Sequence, residues 1–279
     1  LEVFVHGSMC VSYSGRCLLA NALNGRDGNR GTCTQPCRWN YTLMEEKRPD
    51  ERIPIEETNL GTFIMSSKDL CMIGHIPELC GAGIASFKIE GRMKSAYYTA
   101  VVTNAYRMAI DAYFADPAGY RLDPRWQTEL ESVSHREYGT GFFYAKPMEN
   151  PGLVSTCGYI REKAYFSTAT EYDEAELAAV TAAGIPAENA EGRLYRFVQR
   201  NKLSAGEGAE LISPGAVGRA FTVRELYAPD GSTLESTPHP SMPYWCRVPF
   251  AVQPGDILRA SESRGLEVRA RDRLKGDCQ

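Results

Sequence analysis

The stretch ASFKIEGRMKSAYYTAVVTNAYRMAIDAYFAD, residues 85–116, changes its period halfway and so decides the fold class. In its first part Phe87 and Ile89 alternate with Lys88 and Glu90, as two faces of a β-strand do. From Tyr97 to Phe114 the apolar residues recur at helical spacing instead. Two other stretches share this grammar. LEVFVHG (1–7) and GTFIMSSKD (61–69) are short apolar runs with polar ends, and SKDLCMIGHIPELCGAG (67–83) reads as a helix stopping at Gly81 and Gly83. Strand, helix, strand, helix predicts a parallel α/β arrangement, either a (β/α) barrel or a doubly wound sheet. A barrel places its chemistry at the carboxyl ends of its strands, where the polar residues of these segments fall.

Beyond Gly119 the texture changes to a connector rich in proline, glycine and aromatics. The expected organisation is α/β over residues 1–120, a connector over 121–150, and a second domain over 151–279. In that domain GRLYRFVQR, GAELI, GRAFTVRELY and PGDILRA are short strands bounded by turn residues, the pattern of a small β-barrel. The acidic, alanine-rich run 171–192 reads as a short helix or a solvated loop.

With 279 residues, 43% hydrophobic and 24% charged, the chain can bury a sizeable core. A formal charge of −4 gives no global pull toward nucleic acid or anionic membrane. No apolar run is long enough for a membrane helix, and the start at Leu1 has no signal-peptide pattern, although a strand at the first residue suggests a truncated beginning. The nine cysteines are odd in number, and five of them are scattered, which favours a reducing compartment and hence the cytoplasm. HExxH, GxSxG, P-loop and GxGxxG patterns are all absent.

The other four cysteines, Cys10, Cys17, Cys33 and Cys37, crowd the polar, glycine-rich stretch 7–39. Only Cys33 and Cys37 approach the close pairs of a structural zinc knuckle. Iron–sulfur clusters accept wider spacing, and buried cysteine also serves as a small hydrophobe, so spacing leaves all three roles open. Lys88 and Glu90 would share one strand face, as a structural ion pair or as part of a site. Arg92 and Lys94 follow, and Lys68 ends the preceding strand; together they are candidates to hold an anion, or else solvated cations. His6 precedes the cysteine stretch, while the remaining histidines are dispersed. GRDGNRGTC (25–33) is weak evidence for RNA.

EVFVHGSMCVSYSGRCLLA, NRGTCTQPCRW, SSKDLC, SFKIEGRMKSAYYTAVVTNAYR, SHREYGTGFFY and QRNKLSAGEGAELISPG closely resemble the signature regions of peptidase family U32, the collagenase-like peptidases. The resemblance covers most of the chain and fails over 161–192. It implies the C-terminal part of a (β/α) barrel-like domain followed by a small β-barrel domain. It also implies one of two activities. Some members are described as collagen-degrading peptidases. Others take part in oxygen-independent hydroxylation of tRNA, ribosomal RNA or a ubiquinone precursor, with prephenate as cosubstrate in the RNA branches and a [4Fe-4S] cluster in the ubiquinone branch. Most similar is the branch forming 5-hydroxyuridine at the tRNA wobble position. In that resemblance Cys10, Cys17 and Cys33 fall on cluster-ligand positions, with Cys37, or alternatively Cys71, as the fourth. Lys88, Glu90 and His6 would then serve catalysis, and Lys68, Arg92 and Lys94 would bind substrate. A non-catalytic module gripping RNA through the β domain is the remaining class. The expected partner is tRNA or rRNA, with no membrane.

Overall fold

The computed structural model describes residues 1–10, 17–39, 42–45, 48–54, 68–144, 160 and 163–262. The chain forms two compact units, Leu1–Met93 with His135–Tyr159 and Lys94–Ser134 with Ile160–Gln279.

The first unit is built on strand β1 (Glu2–Ser8), followed by helix α1 (Leu19–Asn24) and the antiparallel hairpin β2 (Thr42–Glu45) and β3 (Arg48–Pro54). Then come β4 (Asp69–Cys71), α2 (Ile76–Gly81), β5 (Ser86–Ile89) and β6 (Tyr138–Gly139). The main sheet has the order β5-β1-β4-β6. β5 runs parallel to β1, whereas β4 runs antiparallel to it, so the sheet is mixed rather than all parallel. These strands do not by themselves close a barrel.

Two local expectations change here. The strand expected at 61–69 lies outside the described residues up to 67. The helix expected from Ser67 instead begins as β4, because Leu70 is buried and the Asp69 carboxylate is drawn inside by Arg136 at 2.7 Å. Helical backbone starts only after Met72, as a 3-10 turn leading into α2, with Pro77 in its first turn. In β1, strict alternation would place Glu2, Phe4 and His6 on one face. The register against β5 shifts between Phe4 and His6, a bulge that breaks the alternation. Phe4 is 48% exposed and His6 only 1%.

The second unit opens with α3 (Ala96–Ala115), where the periodicity places it; the Ser95 hydroxyl accepts from the Tyr98 N–H and caps it. Tyr97, Tyr98, Val101, Val102, Ala105 and Ala109 form its buried stripe. α4 (Pro124–Glu131) lies within the segment read as a connector. The rest is β7 (Tyr165–Ala169), α5 (Glu174–Thr181), β8 (Glu188–Asn189), β9 (Gly192–Gln199), β10 (Gly208–Ile212), β11 (Arg219–Thr222), β12 (Leu226–Tyr227), β13 (Pro243–Val248) and β14 (Ile257–Ala260). The strands form an antiparallel sheet, β11-β10-β14-β7-β9-β13-β12, with β8 added beside β9. Its end strands are not paired with each other among the described residues, so a curled half-barrel stands where a closed small barrel is expected.

Both faces of this sheet are covered. Phe166, Phe197, Leu211, Tyr244, Cys246 and Leu258 belong to one core. Val180, Leu194 and Trp245 form a second beneath α5, whose N-terminus carries a reciprocal Asp173–Glu176 capping box. Arg259, 1% exposed, ties the helices to the sheet: it bonds Glu129 and Ser132 from the α4 end and Glu210 of β10. Burial alone would lower the Arg259 pKa, but Tyr97, Glu129 and Glu210 outweigh it and hold the charge on.

Candidate functional site

Strand polarity gathers the polar residues of the first unit on one edge of its sheet. Ser8 pairs with Asp69 and Asp69 with Tyr138, while β5 runs alongside β1 in the same sense. The carboxyl ends of β1 and β5 and the amino ends of β4 and β6 therefore meet at the same edge. Cys10 follows β1, Glu90 and Arg92 follow β5, Lys68 precedes β4 and Glu137 precedes β6.

Glycine permits the close approaches at this edge. Gly7 adopts φ +118°, and a Cβ there would lie 2.3 Å from the Glu90 carbonyl oxygen. The Glu90 N–H donates to the His6 carbonyl at 2.8 Å, extending the ladder past the end of β5. The Glu90 carboxylate accepts from the Arg92 backbone N–H at 2.9 Å, so the Glu90 side chain shapes the turn rather than pairing with Lys88. The Arg92 side chain lies against the cysteine stretch, with its guanidinium over Gly31, whose φ is +78°. A Cβ on Gly31 would fall 2.1 Å from Arg92 Nη1. Among the described residues this guanidinium makes no ion pair.

Around Gly31 the chain turns on its own backbone. The Thr32 N–H and hydroxyl both donate to the Asp27 carbonyl, and the Gln35 N–H donates to Cys33 Sγ at 3.3 Å. Cys17 and Cys33 are half-buried free thiols, Cys10 is exposed, and Cys37 lies in the 3-10 turn Pro36–Arg38. Cys71 is the cross-strand partner of His6. Among the described residues no group of three or more His, Cys, Asp or Glu side chains is close enough to hold a metal ion. Residues 11–16, between Cys10 and Cys17, lie outside those described.

The other candidates divide. Lys68 reaches the edge and sits 3.5 Å from Glu137. Lys88 points elsewhere: its ammonium is 3.5 Å from Glu2 and 4.9 Å from the Phe4 ring centroid, on the exposed flank of an edge strand. The Ser86 hydroxyl, and then Lys88, hold the Glu2 carboxyl below its ordinary pKa. The Lys88–Glu90 pair is thus replaced by Lys88–Glu2, because the nearest carboxylate comes from the neighbouring strand. Lys94 belongs to the second unit, where it donates to the Ser134 carbonyl at 2.6 Å and lies over Tyr98.

Sequence reasoning named His6 and missed the buried group around it, behind the edge. His6 packs 5.3 Å from Tyr138, which stacks on His135 at 4.3 Å and 5°. His135 Nδ1 is 2.6 Å from the Arg136 carbonyl, and its buried Nε2 has no hydrogen-bond partner among the described residues. Arg136 closes the group with its buried bond to Asp69. The only signal was SHREYG itself, which carries three of these residues in one run.

Residues 1–151 match the profile of peptidase family U32, and residues 180–259 match that of the family's C-terminal domain. The chain is 32% identical over 259 residues to "tRNA hydroxylation protein P1" of Bacillus subtilis (strain 168), covering 93% of this chain and 57% of that protein. It is 31% identical over 290 residues to "tRNA hydroxylation protein P" of Escherichia coli (strain K12), covering 89% of this chain and 59% of that protein. A "Collagenase" of Porphyromonas gingivalis (strain ATCC BAA-308 / W83) is 31% identical over 172 residues, covering 62% of this chain and 40% of that protein. The chain thus spans less than two thirds of the length of each. No helix among the described residues is long and apolar enough to cross a membrane.

The donor chemistry of the cysteine stretch, thiols on a turn-rich loop, fits an iron–sulfur cluster. The positions of the described sulfurs do not converge on one.

Proposed function

This chain belongs to peptidase family U32, and from that premise we propose that the protein hydroxylates tRNA, forming 5-hydroxyuridine at the wobble position. The observation that carries the reading is the similarity to two tRNA hydroxylation proteins along about nine tenths of the chain. In this reading the mixed sheet is the C-terminal part of a (β/α) barrel-like domain, and its polar edge is the active face. Cys10, Cys17 and Cys33 would hold a [4Fe-4S] cluster, with Cys37 or Cys71 completing the set. The cluster supplies one-electron chemistry when bound.

The chain's own residues do the rest. Arg92, held over Gly31 and uncommitted to a carboxylate, binds an acidic cosubstrate such as prephenate beside the cysteine loop, with Lys68 as a second cation on the same edge. Glu90 fixes the turn that aims Arg92. His6 and His135, buried behind the edge, hold or move a proton there. The protein acts in the cytoplasm, where its tRNA substrate is found.

Deleting the gene and measuring wobble-uridine hydroxylation by nucleoside mass spectrometry tests this reading. Loss of 5-hydroxyuridine, restored by the full-length gene, is the expected result. Unchanged levels in a strain with no paralogue would overturn it. The similarity to a collagenase favours a second reading, a peptidase. Purified full-length protein would then cleave gelatin, and Cys33→Ala would leave that cleavage intact.

A further inference from the structure

The second unit contains a cavity of about 320 Å³ that the hydroxylation reading does not use. It opens where β7 leaves the sheet, between β9 and the turn before β14. Ala169 and Val252 are its buried floor, and Tyr172, Tyr195, Arg196 and Gln253 line it. The walls are fixed in advance. Tyr172 is braced edge-on by Trp245 at 4.8 Å and 64°. Arg196 donates to Thr170 Oγ1 at 3.0 Å, while its carbonyl accepts from the Thr170 N–H. The turn bearing Gln253 is locked by the buried Asp256, whose carboxylate accepts from the Gln253 N–H and whose carbonyl accepts from Ala169.

Charge selects the occupant. Arg196 already faces Glu176 at 3.3 Å, and Glu171 also lines the cavity, so the local balance repels a phosphate. What remains is the Tyr172 ring to stack on, a side-chain amide offering one acceptor and two donors, and a guanidinium edge; the Tyr195 ring packs into the core on the other face of β9. That combination matches a neutral planar ring with hydrogen-bonding groups on its rim. We propose that this cavity takes one unpaired nucleobase of the RNA substrate, held by stacking on Tyr172 and by edge contacts to Gln253. The proposal rests on the tRNA reading and adds a second point of attachment, on the half-barrel.

Fluorescence anisotropy with a fluorescein-labelled, unmodified tRNA transcript and the full-length protein tests it. Tyr172→Ala should weaken binding roughly five- to hundred-fold, the range of a lost base–aromatic stack. Tyr172→Trp should retain it, and Gln253→Ala, at an exposed side chain outside the fold's core, should weaken it a few-fold. The wild-type to Tyr172→Ala ratio should stay constant between about 50 and 200 mM salt, whereas a phosphate contact would fade. Because Tyr172→Ala also removes a contact to Trp245, a second measurement stands apart from folding: a 4-thiouridine-substituted transcript, irradiated on the wild-type protein, should cross-link to peptides carrying 169–172 or 252–254. Tight tRNA binding by wild type with cross-links only elsewhere and no loss in Gln253→Ala overturns the pocket and leaves the tRNA reading standing. No tRNA binding by wild type overturns both.

Discussion

Arg259 and Arg92 are both guanidiniums beside glutamates, and the two units put them to opposite uses. In the half-barrel unit Arg259 is 1% exposed and bonds Glu129, Glu210 and Ser132, so its charge is neutralised inside the fold. In the first unit Arg92 is exposed, and only its backbone meets the nearby carboxylate, leaving the guanidinium over Gly31. Cysteine follows the same division. Cys246 is fully buried in the half-barrel core, and burial pushes its thiol pKa up to about 12. Cys10 is exposed and Cys33 half-buried on a loop of turns. Polar chemistry committed to structure is buried and saturated, whereas the edge residues that our proposal gives to a ligand are exposed or half-buried.

The largest effect should come from breaking the saturated side. Arg259→Met leaves Glu129 and Glu210 without their shared cation and should cost about 3–5 kcal/mol, read from urea unfolding. A loss below about 1 kcal/mol would mean that the network does not hold the helices to the sheet.

Gly31→Ala sharpens the comparison from the other side. The new methyl meets Arg92 Nη1 and sits at positive φ, so the variant should lose about 1–2 kcal/mol. Adding Arg92→Ala removes the collision and leaves the backbone strain, so a double-mutant cycle should show coupling of at least about 0.5 kcal/mol. Strict additivity would mean that Arg92 does not rest on the loop.

How much of this division was legible depends on whether it is local. α3 announces itself because its buried stripe repeats at helical spacing, and β9, β10 and β14 because turn residues bracket them. β13 escaped notice: PYWCRV starts with proline and is buried on both faces, Tyr244 in one core and Trp245 in the other, so it shows no alternation. β7 lay where the family resemblance failed. At the site, the residues Cys10, Cys33, Lys68, Glu90 and Arg92 could be read from the chain, and their pairings could not. Arg92 meets Gly31, Lys88 meets Glu2 and Arg136 meets Asp69 only because strands distant in sequence lie side by side. The bulge in β1 reversed the expected facing of His6 for a similar reason.

A smaller effect is expected from pH. The raised Cys246 pKa means that the unfolded chain gives up this proton before the folded one does. The resulting stability is fully present below the ordinary thiol value and is lost as pH rises from there toward about 12. Cys246→Ala should therefore flatten the alkaline arm of a stability profile, and in native protein stripped of iron by a chelator iodoacetamide should modify the exposed Cys10 while sparing the buried Cys246. The smallest effect belongs to Lys88→Ala, which removes an exposed pair with Glu2 and should leave the unfolding midpoint unchanged. A clear loss there would place Lys88 among the structural charges instead.

The most direct test of the division is the iron content and visible absorbance of anaerobically purified full-length protein. Wild type and Cys246→Ala should carry iron and sulfide with the broad absorbance of a cluster, Cys33→Ala should lose both, and Cys37→Ala beside Cys71→Ala should reveal the fourth ligand. Colourless wild-type protein binding stoichiometric zinc, or Cys33→Ala retaining all its iron, would contradict the account.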